Sequence, residues 1–449
     1  MKFSTLTRDE LLESYRNMMS HIDFGQAEAG LTRHYLDFFW GINTTRALTL
    51  AMRTQTNRGF QVISSGRVQS PTLALLLQRE LEIRNFVPKP FWQIELQCKC
   101  DGHHIVALHE KDKFWKKDEV DSILKGCEGR EAVVKSVERR RYKQNPPHPF
   151  STTDLQTEAY NQFKFSPRQT LNIAESLYQA GYISYPRSSS QKLPPSIDYV
   201  KIVRAISTLK PYSKFCELLL RKEKLIPNEG PKTDPAHPCV HATHEVPDLS
   251  KLSPQQRKLY DLIVRRTLAT FADAAVRESM RVMISLGDQN FITVGKRTVT
   301  PGWFEVYAPY IRLEEQLLPE LKVGQTLRVI KLNVLEKKTQ PPPRYTQGSI
   351  IKEMAKRGLG TRATRAEILQ TLYDRGYITG KSIRVTRLGE VVVNVLKEFC
   401  PRIVSEELTR HFEREMELVM RGEKRRKEII EEAKKVLVEI LEEFKKNEK

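Results

Sequence analysis

Residues 177–190 read LYQAGYISYPRSSS, and residues 372–379, LYDRGYIT, repeat the first eight of them with five identities. Each copy follows an amphipathic helix with its own start signal. The first opens with Ser166-Pro167, a cap residue followed by proline at the first helical position; the second opens with Thr364-x-x-Glu367, which reads as a capping box. Each helix stops at a glycine, Gly181 or Gly376, and leads into a short strand. Helix, turn, helix, strand is the order of a winged helix-turn-helix, a fold that commonly binds nucleic acid. A generic small α+β unit would show the same order.

Beyond the shared segment the copies part. The first continues Tyr185-Pro186-Arg187-Ser188-Ser189-Ser190, the second Gly380-Lys381. A phenol beside a guanidinium and hydroxyls suits attack on a phosphate, because a protonated tyrosine is a weak nucleophile and needs nearby positive charge to favour the phenolate. Arg187 offers that charge, and its planar fork fits two phosphate oxygens. By itself the tripeptide is weak evidence, and a buried structural tyrosine is the more common explanation of it.

Outward from this core the hydrophobic period changes four times. Residues 1–90 read as helical, with a long helix from Pro71 to Ile83. Alternation begins after Val87-Pro88-Lys89-Pro90: FWQIELQC and HHIVALHE form two strands around the turn Asp101-Gly102. The run Asn145-Pro146-Pro147-His148-Pro149 ends this block, and a helical module follows to about 278. Strand character returns around Gly287-Asp288, lasts to about Val334, and gives way to helix from Gly348 onward. The expected fold is mixed α+β and multidomain. Its blocks are a helical domain (1–90 and 344–449), a β-rich module (91–148 and 279–343), and a winged-helix-like domain bearing Tyr185 inserted at 149–278. The last stretch, Gly422 to Lys449, carries Ile429, Ile430, Ala433, Val436, Leu437, Ile440, Leu441 and Phe444 at helical spacing. Packing on the helical domain is the expected role, and docking to a partner the alternative.

The 449 residues include 74 Lys and Arg against 55 Asp and Glu, a net charge of +19. That surplus suits a polyanionic partner. At roughly 150 residues per domain the length implies about three domains. No apolar run approaches the roughly 18 residues of a membrane span, and MKFSTLTRDELL lacks a signal-peptide core, so a cytoplasmic, nucleoid-associated protein is expected. The six cysteines are scattered without a CxxC pair, which suits a reducing compartment.

Residues 183–197, ISYPRSSSQKLPPSI, resemble the active-site signature of type IA DNA topoisomerases, particularly archaeal ones. Further segments match in the family's order. Arg33-x3-Asp37-x3-Gly41-x-Asn43 and Ser65-Gly-Arg-Val-Gln-Ser-Pro-Thr-Leu73 with Arg79-Glu80 resemble gate segments; PFSTTDLQTEA (149–159) resembles the start of the tyrosine domain. His237-Pro-Cys-Val-His-Ala-Thr243 resembles a His-x-Ala-Ile-x-Pro-Thr motif, from which Cys239 and Ala242 depart, and PPPRYTQGSIIKEMAKRGLGTRATRAEI resembles the return into the gate. The resemblance implies an ATP-independent enzyme. It would cut one DNA strand through a 5′-phosphotyrosine on Tyr185, with Arg187 steadying the phosphate and His237 assisting, then pass a strand, religate and so relax supercoiled DNA. Arg67 and Gln69 would lie along the single-stranded path, and Arg33, Arg46, Arg79, Arg168 and Thr364 would contact backbone or stacked bases. Such groups set affinity and salt dependence rather than sequence choice.

Relatives usually begin with a Toprim domain that holds Mg2+, and MKFSTLTRDEL resembles the segment just after it. With no Asp-x-Asp motif, magnesium ligands are expected outside this chain; no zinc ribbon and no phosphate-binding GxxxxGK[ST] are expected either. The implied partners are single-stranded and underwound DNA, a separate Toprim-containing subunit and, for a split reverse gyrase, a helicase. A catalytically incompetent, strand-binding relic is the alternative. Two zinc readings compete more weakly: Cys98 and Cys100 with His103, and His237, Cys239, His241 and His244. Tyrosine recombinases also combine Tyr, Arg and His, but their tyrosine lies near the C-terminus, unlike Tyr185.

Overall fold

The structure, a computed structural model, describes residues 1–55 and 62–447. Positions 56–61 of the first helical block, and the last two of the expected C-terminal helix, lie outside the described residues. An extended segment leads into α1 (Arg8–Arg16), the long α2 (Phe24–Gln55) and α3 (Gln69–Arg84). Next come β1 (Pro90–Cys100), β2 (His103–His109), α4 (Lys117–Cys127) and β3 (Ala132–Gln144). Five helices follow: α5 (Thr152–Phe163), α6 (Pro167–Gln179), α7 (Tyr199–Ser207), α8 (Ser213–Leu220) and α9 (Pro254–Ala269). The chain returns to β4 (Ala275–Leu286) and β5 (Gln289–Thr300), passes through α10 (Trp303–Tyr307), and enters β6 (Thr326–Lys338). It finishes with α11 (Gln347–Lys356), α12 (Arg365–Asp374), the ribbon β7 (Ile378–Thr379) and β8 (Arg384–Val385), α13 (Arg387–Phe399), α14 (Glu406–Met420) and α15 (Arg426–Asn447).

The strands close into an antiparallel barrel ordered β1-β2-β5-β4-β3-β6. Closure removes the free edges that would otherwise invite pairing with other chains. Asp101 and Gly102, both at positive φ, make the β1–β2 turn, and Cys98, Cys100, Ile105 and Ala107 fill the interior. Because β3 and β4 pair from Ala132↔Leu286 to Gln144↔Ala275, the chain leaves and re-enters the barrel at adjacent points. The helices between those points have their own core, including Leu155, Ala174, Leu177, Ile202, Ile263 and Leu268. A third core joins α2 and α3 to α11–α15.

Several details differ from the sequence expectations. Strand resumes at Ala275, inside the block read as helical to 278, because Ala275, Arg277 and Glu278 are all buried against β3 and β5. The short helix α10 interrupts the second β block, and Trp303, Phe304, Val306 and Tyr307 pack with the inserted helices instead of the barrel. Thr364 does not close a capping box; its hydroxyl accepts from Thr361 N at 2.9 Å, one turn too early to cap α12. After Gly181 there is no strand, only an isolated bridge from Ile183 to Ala242, whereas the second copy pairs Ile378 with Val385.

The two repeat copies also meet each other. Helix α5 packs on α11, and α6 on α12. A Cβ at Gly348 would lie 3.1 Å from the Tyr160 ring, so the close approach of α5 and α11 depends on that glycine. The apolar stripe of α15 is buried on the helical core through Ile429, Ala433, Leu437, Ile440 and Phe444, as its packing role requires. Among the described residues no helix is long and apolar enough to cross a membrane.

Candidate active site around Tyr185

The Tyr185 segment emerges from the Gly181 turn and is held on three sides. Tyr185 N donates to Ser4 O at 2.7 Å, which ties it to the extended N-terminal segment. Ser184 N donates to His241 O, and Ser184 Oγ to Cys239 O. On the third side Thr152, the first residue of α5, donates its hydroxyl to Pro186 O at 2.7 Å and accepts from Ser188 N at 2.8 Å. Ser151 and Asp154 cap that helix reciprocally, which fixes the position of Thr152.

The half-buried Tyr185 ring packs edge-on against Tyr178 at 5.3 Å and lies tilted against the His237 ring at 4.6 Å, centroid to centroid. His237 Nδ1 shares a hydrogen bond with Ser4 Oγ at 3.2 Å. Burial lowers the imidazole pKa, against the opposing pull of Asp234, so the ring favours its neutral form. Arg187 Nε lies 3.8 Å from Glu175 Oε2, too far for a hydrogen bond, and has no hydrogen-bond partner among the described residues. Tyr185, Arg187 and His237 therefore belong to one connected substructure.

Asp234 and Arg362 carry no role in the sequence reading. The Asp234 side chain is fully covered and accepts from Ser189 N at 2.9 Å, Ser189 Oγ at 2.8 Å, Ala236 N at 2.9 Å and His237 N at 3.2 Å. It also forms an ion pair with Arg362, from the loop before α12. Burial would raise its pKa, but the N–H donors of Ser189 and Ala236 and the Arg362 charge hold it below the usual carboxylate value. The only signals available were the composition of TDPAHP and GTRATR, whose pairing is set by the tertiary fold.

The residues expected along a nucleic-acid path are scattered in environment. Arg67 is buried, its guanidinium on Asp37 Oδ1 at 3.1 Å and Glu413 Oε1 at 3.0 Å; Arg33 reaches Glu413 Oε2 at 2.6 Å. Gln69 bonds Ser64, and Arg79 lies over the Tyr345 ring while bonding Pro343 O. Arg46 is exposed on α2. Arg168 crosses between the repeat copies to Glu367 at 3.3 Å, and Thr364 sits in the Thr361 turn. A cleft of about 660 Å³ opens beside Ser189, lined by Arg33, Lys232, Arg362, Arg365, Glu413 and Arg414 among others.

Neither zinc reading gathers its ligands. Cys98 and Cys100 are buried in the barrel while His103 is exposed; Cys239 and His241 are buried in the core, His241 Nδ1 bonding Ala242 O at 2.8 Å. Among the described residues no group of three or more His, Cys, Asp or Glu is arranged to hold a metal.

A family model for DNA topoisomerase matches residues 21–431. The chain is 48% identical over 423 residues to DNA topoisomerase 1 of Pyrococcus horikoshii, covering 94% of this chain and 62% of that protein. It is 46% identical to DNA topoisomerase 1 of Methanothermobacter thermautotrophicus, covering 94% and 58% respectively. At 62% and 58%, the chain spans less than two thirds of the length of these relatives. Full-length topoisomerase I from Thermotoga maritima superposes on 99% of this chain and 73% of its own with a TM-score of 0.81 at 26% identity.

Proposed function

This chain belongs to the type IA DNA topoisomerases, and we propose that Tyr185 is its nucleophile toward a phosphodiester of single-stranded DNA. The observation that carries this reading is the pinned Tyr185 segment, with the His237 ring 4.6 Å from the phenol ring and Arg187 two residues on. Attack by the phenol oxygen forms a bond to phosphorus and breaks the bond to the 3′ oxygen. The phenol loses a proton and the 3′ oxygen gains one, leaving a 5′-phosphotyrosine and a free 3′-hydroxyl. One phosphoester replaces another, so resealing is the same step reversed, and a strand passed through the break relaxes supercoiled DNA. Arg187 would bind phosphate oxygens, and neutral His237 would accept the phenol proton or steady the phosphate. On this reading the three cores are the gate, arch and tyrosine domains, and the basic cleft beside Ser189 follows the strand's backbone through Arg33 and Arg365.

Magnesium dependence fits the family, but the described residues do not fit a magnesium site. Two neighbouring carboxylates are already engaged, Glu10 by Ser4 N and the Thr5 hydroxyl and Asp234 by Ser189, Ala236, His237 and Arg362; Glu175, 3.8 Å from Arg187 Nε, is a single carboxylate, and no group of three or more His, Cys, Asp or Glu is arranged to hold a metal among the described residues. The partners we propose are a magnesium-holding Toprim unit and, for ATP-driven supercoiling, a helicase.

The test is a denaturing gel of the full chain incubated with a labelled single-stranded oligonucleotide, with and without Mg2+ and an added Toprim protein. A covalent adduct that vanishes in Tyr185→Phe is the expected result. If none forms under any condition, while salt-sensitive strand binding persists in wild type and Tyr185→Phe alike, the chain binds without cutting.

A further inference from the structure

The loop that carries His237 is bonded by Ser4 and Ser188 and, through the Ala236 and His237 amides, by one carboxylate, which is itself held from another part of the fold. Asp234 receives the amide protons of Ser189, Ala236 and His237, so it joins the segment after Tyr185 to the one bearing the imidazole. Its side chain is fully covered, and an ionised carboxylate in such a place needs a cation or donors on every side. The cation is Arg362, whose own side chain is 31% exposed to the basic cleft. Arg362 belongs to the turn Gly360–Thr364, which is fixed independently: Thr361 N donates to Thr364 Oγ1 at 2.9 Å, and Arg365 donates to Leu359 O and Gly360 O. The turn is therefore a rigid mount, and Arg362 reaches from it across the junction of the two repeat copies.

We propose that Arg362 is a positioning residue for the Tyr185 site, acting through Asp234 to hold His237 and Ser189 at the phenol. The proposal rests on the reading of Tyr185 as nucleophile. It also places the pair at the junction of the helical core and the inserted helices, where α5 packs on α11 and α6 on α12 and polar groups also meet: Thr157 Oγ1 to Gly348 O, the Tyr160 hydroxyl to Lys381 O, and Arg168 to Glu367. Separating those two groups of helices would remove the cation from Asp234. His237 would then lose its registration with Tyr185 whenever the junction opens.

Amide hydrogen exchange on the full chain tests this without requiring chemistry. In Arg362→Ala, peptides covering Ser188–Ser190 and Asp234–His237 should exchange about tenfold faster, with barrel and α9 peptides unchanged. Arg362→Lys, which keeps the charge, should restore most of the protection. No change at those peptides in Arg362→Ala, or an equal rise throughout the chain, overturns the proposal. The oligonucleotide assay supplies the second arm. Adduct yield that falls in Arg362→Ala and recovers in Arg362→Lys, at unchanged strand affinity, supports positioning, and yield unaffected by a loosened loop overturns it. If wild type forms no adduct at all, the reading of Tyr185 falls, and the exchange pattern alone decides whether Arg362 holds the His237 loop.

Discussion

The His237 imidazole lies 4.6 Å from the Tyr185 ring, centroid to centroid, with the planes inclined at 49°. His237 and His241 both have pKa values lowered from 6.5 by burial. A histidine with a depressed folded-state pKa stays neutral in the folded chain while the unfolded chain protonates. Its contribution to stability is complete above the unfolded value and is lost as pH falls from 6.5 toward the folded value. Thermal unfolding should therefore show a falling midpoint below pH 6.5, and His241→Asn should flatten that slope. A slope unchanged by the substitution would remove His241 as its source.

Glu413 is shared by Arg33 and Arg67, and the Arg67 side chain is only 2% exposed. Burial raises the Glu413 pKa, but the Arg33 and Arg67 contacts outweigh it and hold the carboxylate below its usual value. Glu413→Gln leaves a buried guanidinium with Asp37 as its remaining anion, and should cost about 3–5 kcal/mol in urea unfolding. A cost under about 1 kcal/mol would show that water or Asp37 replaces the lost charge.

Thr152 joins the start of α5 to Pro186 and Ser188 through one buried hydroxyl. Thr152→Val keeps the shape and removes those bonds, leaving Ser188 N without that acceptor. About 2 kcal/mol of stability should be lost. Adduct formation should fall more steeply than stability, because the bonds flank Arg187 directly; parallel losses would make Thr152 structural only.

All six cysteines are buried, and burial pushes the Cys98 thiol to about 11 and those of Cys216 and Cys400 to about 12. Thiolates are the reactive form. A thiol-reactive dye at pH 8 should label the folded chain negligibly over minutes and label all six sites in denaturant. Rapid labelling of one or two sites in the folded chain would reveal local opening at the barrel or at the helical core.

The order of elements, the capped helix at Ser166, the turn at Asp101-Gly102 and the buried face of α15 were legible in the sequence because each depends on contacts within a few residues or on a simple period. The family was legible for a different reason: ordered motifs preserve residue types that chemistry requires. What the linear pattern could not show was which polar groups meet. Thr364 has the spacing of a cap but turns its hydroxyl to Thr361, and Arg67 has the appearance of a surface contact but lies in an internal ion pair.

Local chemistry thus determined where Tyr185, Arg187 and His237 stand in the chain, and that they are the residues on which to propose a reaction. Only the tertiary structure decided that Ser4, Thr152 and Asp234 clamp them, and that Arg362 holds Asp234 from another core. The physical reason is range. Helix starts and strand periods are fixed by neighbours a few positions away, whereas a buried carboxylate is stabilised by whichever donors and cations the folded chain brings around it, however distant in sequence.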